Sequence, residues 1–204
     1  MMSPAHVLEP TYDALRRRLL TGASPSGQRL EAVRLADEFG VSITPVRDAL
    51  NRLVGERLVH STPGDGFHVP RFDETEFRTL LQWHHMLLFA ALSHRRGPLP
   101  RIEVPQDHDG IGERTALLFG AIAATAGNSE LDWAMSNAAA RLGSFRRYEG
   151  AALGDVEHEL DAIEQLAGGA LRGTVRRAID HYHRRRADRA AVIARLAREG
   201  PSAT

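Results

Sequence analysis

The stretch LADEFGVSITPVRDALNRL, residues 35–53, predicts two short helices joined by a tight turn. In the first helix, Leu35 and Phe39 stand four residues apart, and Gly40 is the residue type that most readily adopts the left-handed conformation ending a helix. The second helix begins at residues 42–45, and its apolar positions recur at helical spacing: Val46, Ala49, Leu50 and Leu53. Two such helices around one turn are typical of a helix-turn-helix motif.

The flanking sequence extends this motif on both sides. Upstream, Tyr12, Leu15 and Leu19 share one face of a helix predicted over residues 10–22 and ended by Gly22. Downstream, two apolar runs, residues 58–61 and 67–69, predict a pair of strands around a turn rich in glycine and proline. Three helices followed by a hairpin predict a winged helix-turn-helix over residues 1–72.

Residues 73–204 predict a second, all-helical domain. Asp73 and Glu76 form a helix-capping pattern, followed by one apolar stripe: Phe77, Leu80, Leu81, Leu88 and Ala91. Prolines predict a loop over residues 97–110, and helices are expected near 112–126, 129–147 and 155–167. A last helix over 170–198 would direct Leu171, Val175, Ile179 and Tyr182 inward. Short connections favour an antiparallel helical bundle, so the predicted fold class is mainly α.

Composition narrows the classes of function. The 26 basic residues are all arginine and equal the 26 acidic residues, so DNA affinity would need a local arrangement of donors. The absence of cysteine excludes disulfides, cysteine zinc fingers and a thiol nucleophile. The sequence contains no run of 18 apolar residues, so we expect neither a membrane span nor a membrane partner. The first residues lack a secretory pattern, so we expect a cytoplasmic protein.

The second helix of the motif presents a candidate DNA-binding face. If its apolar positions face the core, then Thr44, Arg47 and Asn51 share the outward face. Hydroxyls at Ser42 and Thr44, with free backbone N–H groups, suit phosphate binding, and Arg47 can reach a guanine edge or a phosphate. The alternative is that Arg47 is an ordinary solvated helix residue.

Residues 35–53 closely resemble the GntR family of bacterial repressors, whose pattern there is LAxxLGVSRTPVREALxxLxxxGLV. Residues 12–16, 24–30 and 64–69 are similar to its first helix, first strand and wing. The resemblance implies that Thr44, Pro45 and Arg47 contact DNA and that Gly66 lies at the wing tip. It also implies a homodimer on a double-stranded operator, because two half-sites multiply the contacts of one short helix.

The sequence departs from the family pattern at two positions of the DNA face. Ile43 stands where the family usually has arginine, and Asp65 stands where the wing often has a basic residue. Both changes remove positive charge, so we expect modest or salt-sensitive affinity. Arg34 and Arg52 are candidates to compensate.

The helical region resembles the FCD ligand-binding domain of the same family, mainly at residues 121–128 and 156–163. The resemblance implies a zinc-like divalent metal held by one Asp and three His, with an organic acid effector nearby. Thr115 and Phe119 replace the first Asp and His of that pattern, while His158 matches and His181 falls one residue late. We therefore expect a degenerate or weak metal site, although His84 and His85 are further candidate ligands.

Arginines of the helical region are candidates to bind the effector. Arg141 and Arg146 follow the FCD-like match, and either can pair with a carboxylate or lie on a solvated face. The arginines at 184–186 are expected to be surface charge.

The sequence thus predicts a metabolite-responsive DNA-binding regulator that lacks enzymatic activity. Two alternatives are an effector-binding protein with weakened or lost DNA binding, and a metal-dependent enzyme built on the histidines. No Ser/His/Asp pattern, phosphate loop or HExxH helix supports the enzyme.

Overall fold

The computed structural model describes residues 4–21, 23–71, 73–94, 99–105 and 107–199. Within these residues the chain forms ten helices and three short strands. The elements of the N-terminal part are α1 (Pro4–Leu20), β1 (Arg29–Leu30), α2 (Ala32–Phe39), α3 (Ile43–Gly55), β2 (His60–Thr62) and β3 (Gly66–His68). The remainder is α4 (Glu74–His94), α5 (Ile111–Ala124), α6 (Ser129–Arg146), α7 (Glu149–Leu153), α8 (Val156–Ala167), α9 (Arg172–Asp188) and α10 (Ala190–Glu199).

The N-terminal elements form a winged helix, as the sequence predicts. The three strands pair antiparallel in the order β1-β3-β2. Gly40 ends α2 with a φ of 65°, the left-handed conformation expected there. The four apolar positions of α3 are all fully buried in one cluster with residues of α1 and the strands: Val46, Ala49, Leu50 and Leu53.

Two details of this part differ from the predictions. Helix α1 begins at Pro4 rather than residue 10. The strand expected over 58–61 occupies His60–Thr62, because Leu58 and Val59 are buried in the core beneath the hairpin. The predicted stop at Gly22 lies outside the described residues.

Helices α4–α10 form a helical bundle around a second apolar cluster. The capping pattern at the start of α4 is reciprocal: the Asp73 carboxylate accepts from the Glu76 N–H at 2.8 Å, and the Glu76 carboxylate accepts from the Asp73 N–H at 3.0 Å. The predicted apolar stripe of α4 is buried against α5, α6 and α9: Phe77, Leu80, Leu81, Leu88 and Ala91.

Two predictions about the bundle are wrong. The last helix is two helices, because the backbone at Arg189 (φ −105°, ψ 10°) interrupts it between α9 and α10. Leu171 precedes α9 and is 78% exposed rather than inward. The short α7 was not predicted. Residues 99–105 are non-helical as expected, whereas residues 97, 98 and 106 of the predicted loop lie outside the described residues.

The winged helix packs on the bundle through α1 and α6. The approach is closest at Gly143 of α6, where a Cβ atom would lie 2.2 Å from the carbonyl oxygen of Leu20. The Asn137 amide donates to the Glu56 carbonyl at 2.8 Å, and Ala140 is buried in the winged-helix cluster. The two parts are therefore docked by specific contacts, while the predicted boundary residue, 72, lies outside the described residues. None of the described helices is long and apolar enough to cross a membrane.

Candidate functional site

The outward face of α3 is arranged as the spacing predicts. Thr44, Arg47 and Asn51 are exposed, on the side opposite the buried Val46 and Leu50. Among the described residues Arg47 makes no hydrogen bond or ion pair, so its guanidinium is available to a ligand. An arginine in the first two turns of such a helix can reach a base edge in the major groove.

The N-terminus of α3 is also open. Ser42 is the N-cap residue in extended conformation, and its side chain makes no capping hydrogen bond. The first N–H groups of the helix therefore point outward without a side-chain partner, an arrangement that favours an anion such as phosphate. Pro45 is half-buried and supplies no N–H group, and the exposed Ile43 supplies no charge.

The two arginines expected to compensate behave differently. Arg34 is exposed on α2 and remains a candidate DNA contact. Arg52 is drawn toward α1 instead: it pairs with Glu9 at 2.9 Å and stacks 3.8 Å above the Tyr12 ring. Since these contacts occupy both its charge and its flat face, Arg52 stabilises the α1–α3 contact rather than supplying a free positive charge.

The wing presents a basic row that the sequence reasoning missed. Gly66 begins β3 with a φ of 86°, which a residue with a Cβ adopts only under strain. His68 on β3 pairs with Arg29 on β1 and with His60 on β2. These three residues lie on the face of the sheet opposite the buried Leu30 and form the basic row. The alternation of side chains along these strands is the signal that could have identified the row.

Asp65 at the wing is less isolated than its sequence position suggests. Its carboxylate lies 3.5 Å from the Nε2 atom of His68, close enough to pair when that ring is protonated. When His68 is protonated, this pairing offsets part of the repulsion expected from Asp65.

A chain of hydrogen bonds occupies the core of the bundle. The Arg146 guanidinium lies 3.3 Å from His84 Nε2, His84 Nδ1 lies 2.8 Å from His183 Nε2, and His183 Nδ1 lies 2.7 Å from the Ile179 carbonyl. Arginine only donates and a carbonyl only accepts, so the protons follow one direction along the chain. Each imidazole is then neutral, with its proton on Nδ1.

The environment of these two rings favours the neutral form. Burial is the largest cause that lowers the pKa of His84 well below its usual range, with His183 and Arg146 adding to it. Burial likewise lowers the pKa of His183 to about 3, against a partial opposing effect of the Ile179 carbonyl. Protonating a buried imidazole beside an arginine is unfavourable, because the charged ring is not solvated by water and is repelled by the guanidinium.

The predicted metal ligands do not come together. His158 and His181 are exposed, so the inward histidine of α9 is His183, two residues later. Within the described residues no group of three or more His, Cys, Asp or Glu could hold a metal ion. The metal implied by the FCD resemblance therefore does not fit these side chains.

Phe119, at one of the positions that would hold a ligand, instead packs its ring on the buried histidines. Its centroid lies 5.3 Å from that of His84, with the two rings nearly perpendicular. Thr115, at the other position, is buried and donates to the Ile111 carbonyl of its own helix. His85 is partly buried, and its ring lies 4.6 Å from that of His183, with its Nε2 atom 3.7 Å from the Asp180 carboxylate.

The two candidate effector arginines lie in different places. Arg146 is 1% exposed in the core, and none of the described carboxylates lies within ion-pair distance of it. Arg141 is half-buried where α6 meets the winged helix, and burial followed by Arg57 lowers its pKa. Only Arg146 faces the interior of the bundle.

Arg186 corrects the expectation that residues 184–186 are surface charge. Its side chain is fully buried, 3.3 Å from the Tyr182 ring, and pairs with Glu149 at 2.8 Å and Glu159 at 2.7 Å. These two acids compensate the charge of Arg186, which distinguishes it from Arg146.

Comparison with known proteins identifies the N-terminal part. Residues 9–69 match the family model described as bacterial regulatory proteins, gntR family. These residues form a GntR-family helix-turn-helix domain. Within the same region the chain is 45% identical over 56 residues to the HTH-type transcriptional regulator McbR of Escherichia coli, which is 28% of this chain and 25% of McbR. The sequence match thus spans about a quarter of that relative.

Solved structures extend the likeness of fold beyond the GntR domain. E. coli McbR/YncC superposes with a TM-score of 0.74 at 20% identity, covering 96% of this chain and 99% of that one. A putative GntR regulator from Rhodococcus sp. RHA1 superposes with a TM-score of 0.72 at 19% identity, covering 91% and 96%. At this identity the superpositions establish the shared fold of the GntR domain and the helical bundle.

Proposed function

We propose that this protein is a DNA-binding transcription regulator of the GntR type, acting in the cytoplasm on a double-stranded operator. The single observation that supports it most is the open face of α3, where Thr44, Arg47 and Asn51 lie exposed inside a matched GntR domain. The proposed contacts are Arg34, Ser42, Thr44, Pro45, Arg47, Asn51 and Gly66. The sequence matches are to regulators, so we propose no catalytic role.

We propose that residues 1–72 bind DNA and that residues 73–204 bind an effector and dimerise. A homodimer would present two α3 helices to two half-sites, which compensates for the weak charge of a single DNA face. The outward side of α4 supports a helix-to-helix contact between two copies. It exposes Trp83 (43%) and Met86 (55%), and along it Thr75, Thr79 and Gln82 carry no charge.

The orientation of this proposed dimer contact follows from the charges at the two ends of α4. Acidic residues, Glu74 and Glu76, lie in its first turn, and His94 lies in its last turn. Glu74 pairs with Arg78 at 2.8 Å within the helix, which leaves Glu76 as the acid without an arginine partner among the described residues of this turn. An antiparallel pair across a two-fold axis sets this turn against His94 of the other copy, and it also opposes the helix dipoles favourably.

We propose that the effector is a small organic acid and that Arg146 binds its carboxylate. Arg146 is 1% exposed, and its two Nη atoms have the Ala139 carbonyl at 3.4 Å and His84 at 3.3 Å as partners, while its Nε atom has none among the described residues. No described carboxylate compensates its charge, and an effector carboxylate would supply both the compensating charge and an acceptor for Nε. Thermal-shift screening of small mono- and dicarboxylates tests this. We expect stabilisation by at least one acid that is lost in Arg146→Gln and retained in Arg141→Gln.

A second candidate function is effector binding with weakened DNA binding. The exposed Ile43 and Asp65 favour it, because both positions of the DNA face lack positive charge. One experiment separates the two: a salt-titrated binding assay on the DNA upstream of the protein's own gene. We expect specific binding above that to scrambled DNA, with affinity falling as salt rises. Equal affinity for both DNAs at every salt concentration would favour the second function.

A further inference from the structure

A cleft lies where the DNA-binding domain meets the bundle, separate from the core that contains Arg146. Its volume is about 520 Å³, within the range typical of small-molecule sites. One wall is the last part of α1, with Arg16 and Leu20, and the opposite walls are α5 and α6. The cleft therefore belongs to both parts of the chain.

Small residues line the α5 side of the cleft, opposite α1. Ala116, Gly120 and Ala124 recur every four residues along the floor, with Leu117 beside them. A Cβ atom placed on Gly120 would meet nothing within 4 Å, so the space in front of it is open. This floor is apolar and can take the hydrocarbon part of a ligand.

The rim of the cleft is predominantly acidic. Of the described residues that line it, Glu103, Glu113 and Asp132 are acidic and Arg16 is basic. The Glu103 carboxylate pairs with Arg101 at 3.2 Å, and the Arg16 guanidinium donates to the Ser136 hydroxyl at 2.6 Å, so Glu113 and Asp132 are the acids without an arginine partner among the described residues. The Oδ1 atom of Asp132 is buried and has no hydrogen-bond partner among the residues that the structure describes. An acidic rim around an apolar floor repels anions and attracts a cation with a hydrocarbon body.

We propose that this cleft is a binding site for a small hydrophobic amine, with its hydrocarbon part on the α5 floor and its ammonium toward Asp132 and Glu113. The site is distinct from the proposed carboxylate position at Arg146, because the two differ in both location and charge preference. The proposal does not depend on DNA binding, because ligand binding to the cleft is measured without DNA.

Three probes with the same hydrocarbon body test the proposal on the full chain by calorimetry: 4-phenylbutylammonium, 4-phenylbutanol and 4-phenylbutyrate. We expect the ammonium to bind tightest, at least about tenfold tighter than the butyrate, because that ratio corresponds to only about 1.4 kcal/mol of charge preference. Equal or tighter binding of the alcohol or the butyrate would overturn the proposed ligand class. Absence of binding by all three probes would overturn the site.

Variants locate the bound probe. Gly120→Leu fills the open space in front of α5 and should abolish ammonium binding, whereas Gly120→Ala fills little of it and should retain binding. Asp132→Asn should weaken the ammonium severalfold and leave the alcohol unchanged. Glu130→Gln, an exposed acid on the same turn that does not line the cleft, is the matched control. Full ammonium affinity in both Gly120→Leu and Asp132→Asn would place the probe elsewhere and contradict the proposal.

Discussion

The Nδ1 atom of His84 donates a hydrogen bond to Nε2 of His183 across 2.8 Å in the core of the bundle. Every other nitrogen of the pair is also engaged, with Arg146 on one side and the Ile179 carbonyl on the other. A further proton on either ring would have to occupy a nitrogen that already accepts a hydrogen bond. Both imidazoles of the pair are therefore held in their neutral form.

Acidification should consequently destabilise the protein. The pKa values of both rings are lowered by folding, so the unfolded chain binds more protons and stability falls as pH drops below about 6.5. The loss should reach up to about 3 kcal/mol per pH unit for the pair, continuing toward pH 3 for His183. Urea unfolding at pH values about 0.5 unit apart, from about 7.5 to about 5, measures this slope.

A double variant isolates the contribution of the pair. His84→Gln with His183→Gln removes both titrating groups and should flatten the slope, even if the protein is less stable throughout. His158→Gln removes an exposed histidine and should leave the slope as in the parent. A parent slope that persists in the double variant would show that other groups govern the acid response.

Arg47→Ala should abolish specific operator binding while helix content and oligomeric state stay unchanged. The guanidinium has no partner among the described residues to lose, and loss of one bidentate base contact costs roughly 1–3 kcal/mol. Fluorescence anisotropy with operator DNA measures the change. Arg195→Ala, which removes an equal charge from α10 of the bundle, is the matched control. Unchanged operator affinity in Arg47→Ala would disprove the assigned role.

Light scattering should report about twice the chain mass of 22.5 kDa in solution. Met86→Glu places a charge on the uncharged outward face of α4 and should shift the protein toward one chain mass. Trp133→Glu changes an equally exposed apolar residue on α6 and should leave the mass unchanged. A single chain mass for the parent at micromolar concentration would refute the dimer.

The winged helix could be predicted from sequence because its signals are local. The spacing of Val46 and Leu50 directs Arg47 outward whatever the rest of the chain does, and Gly40 marks the turn before it. The basic row of the wing was missed because it exists only after β1 pairs with β3. Arg29 and His68 are far apart in sequence and meet through strand register alone.

The interior of the bundle was harder to predict from sequence than the winged helix, because polar residues occupy part of it. His183 follows Ile179 by four residues and Arg186 follows Tyr182 by four, so both continue the buried stripe of α9. Helical spacing places both residues on the buried face of α9. Histidine and arginine are more often found at the surface, however, and the family pattern indicated His181 instead of His183. Burial became evident only with the compensating partners: His84 for His183, and Glu149 and Glu159 for Arg186.

Protein purified without chelator should contain little bound metal, below about 0.1 equivalent per chain by elemental analysis, because structural sites usually need three or four ligands. His158 and His181 are exposed, and the nitrogens of His84 and His183 are already hydrogen-bonded. Added zinc should therefore raise the melting temperature very little. One equivalent of tightly held metal that disappears in His158→Ala or His84→Ala would show that the site is assembled after all.

Gly143→Ala should destabilise the docking of the GntR domain on the bundle. A Cβ atom there would lie 2.2 Å from the Leu20 carbonyl oxygen and 2.5 Å from that of Leu19, and both are backbone atoms that cannot rotate away. Separating α1 from α6 to relieve the overlap would also stretch the Asn137–Glu56 hydrogen bond. We expect a loss of about 1–3 kcal/mol in the free energy of unfolding, the usual cost of overpacking.

The matched substitution for this test is Gly120→Ala, also within a helix but facing open space. There the added methyl group should stabilise the protein by up to about 1 kcal/mol through helix propensity alone. Opposite signs for the two variants in urea unfolding would attribute the Gly143 effect to the close approach of α1. Stabilisation by both would mean that α1 and α6 can separate without cost, and that the two parts are less firmly docked than the contacts at Leu20, Asn137 and Glu56 indicate.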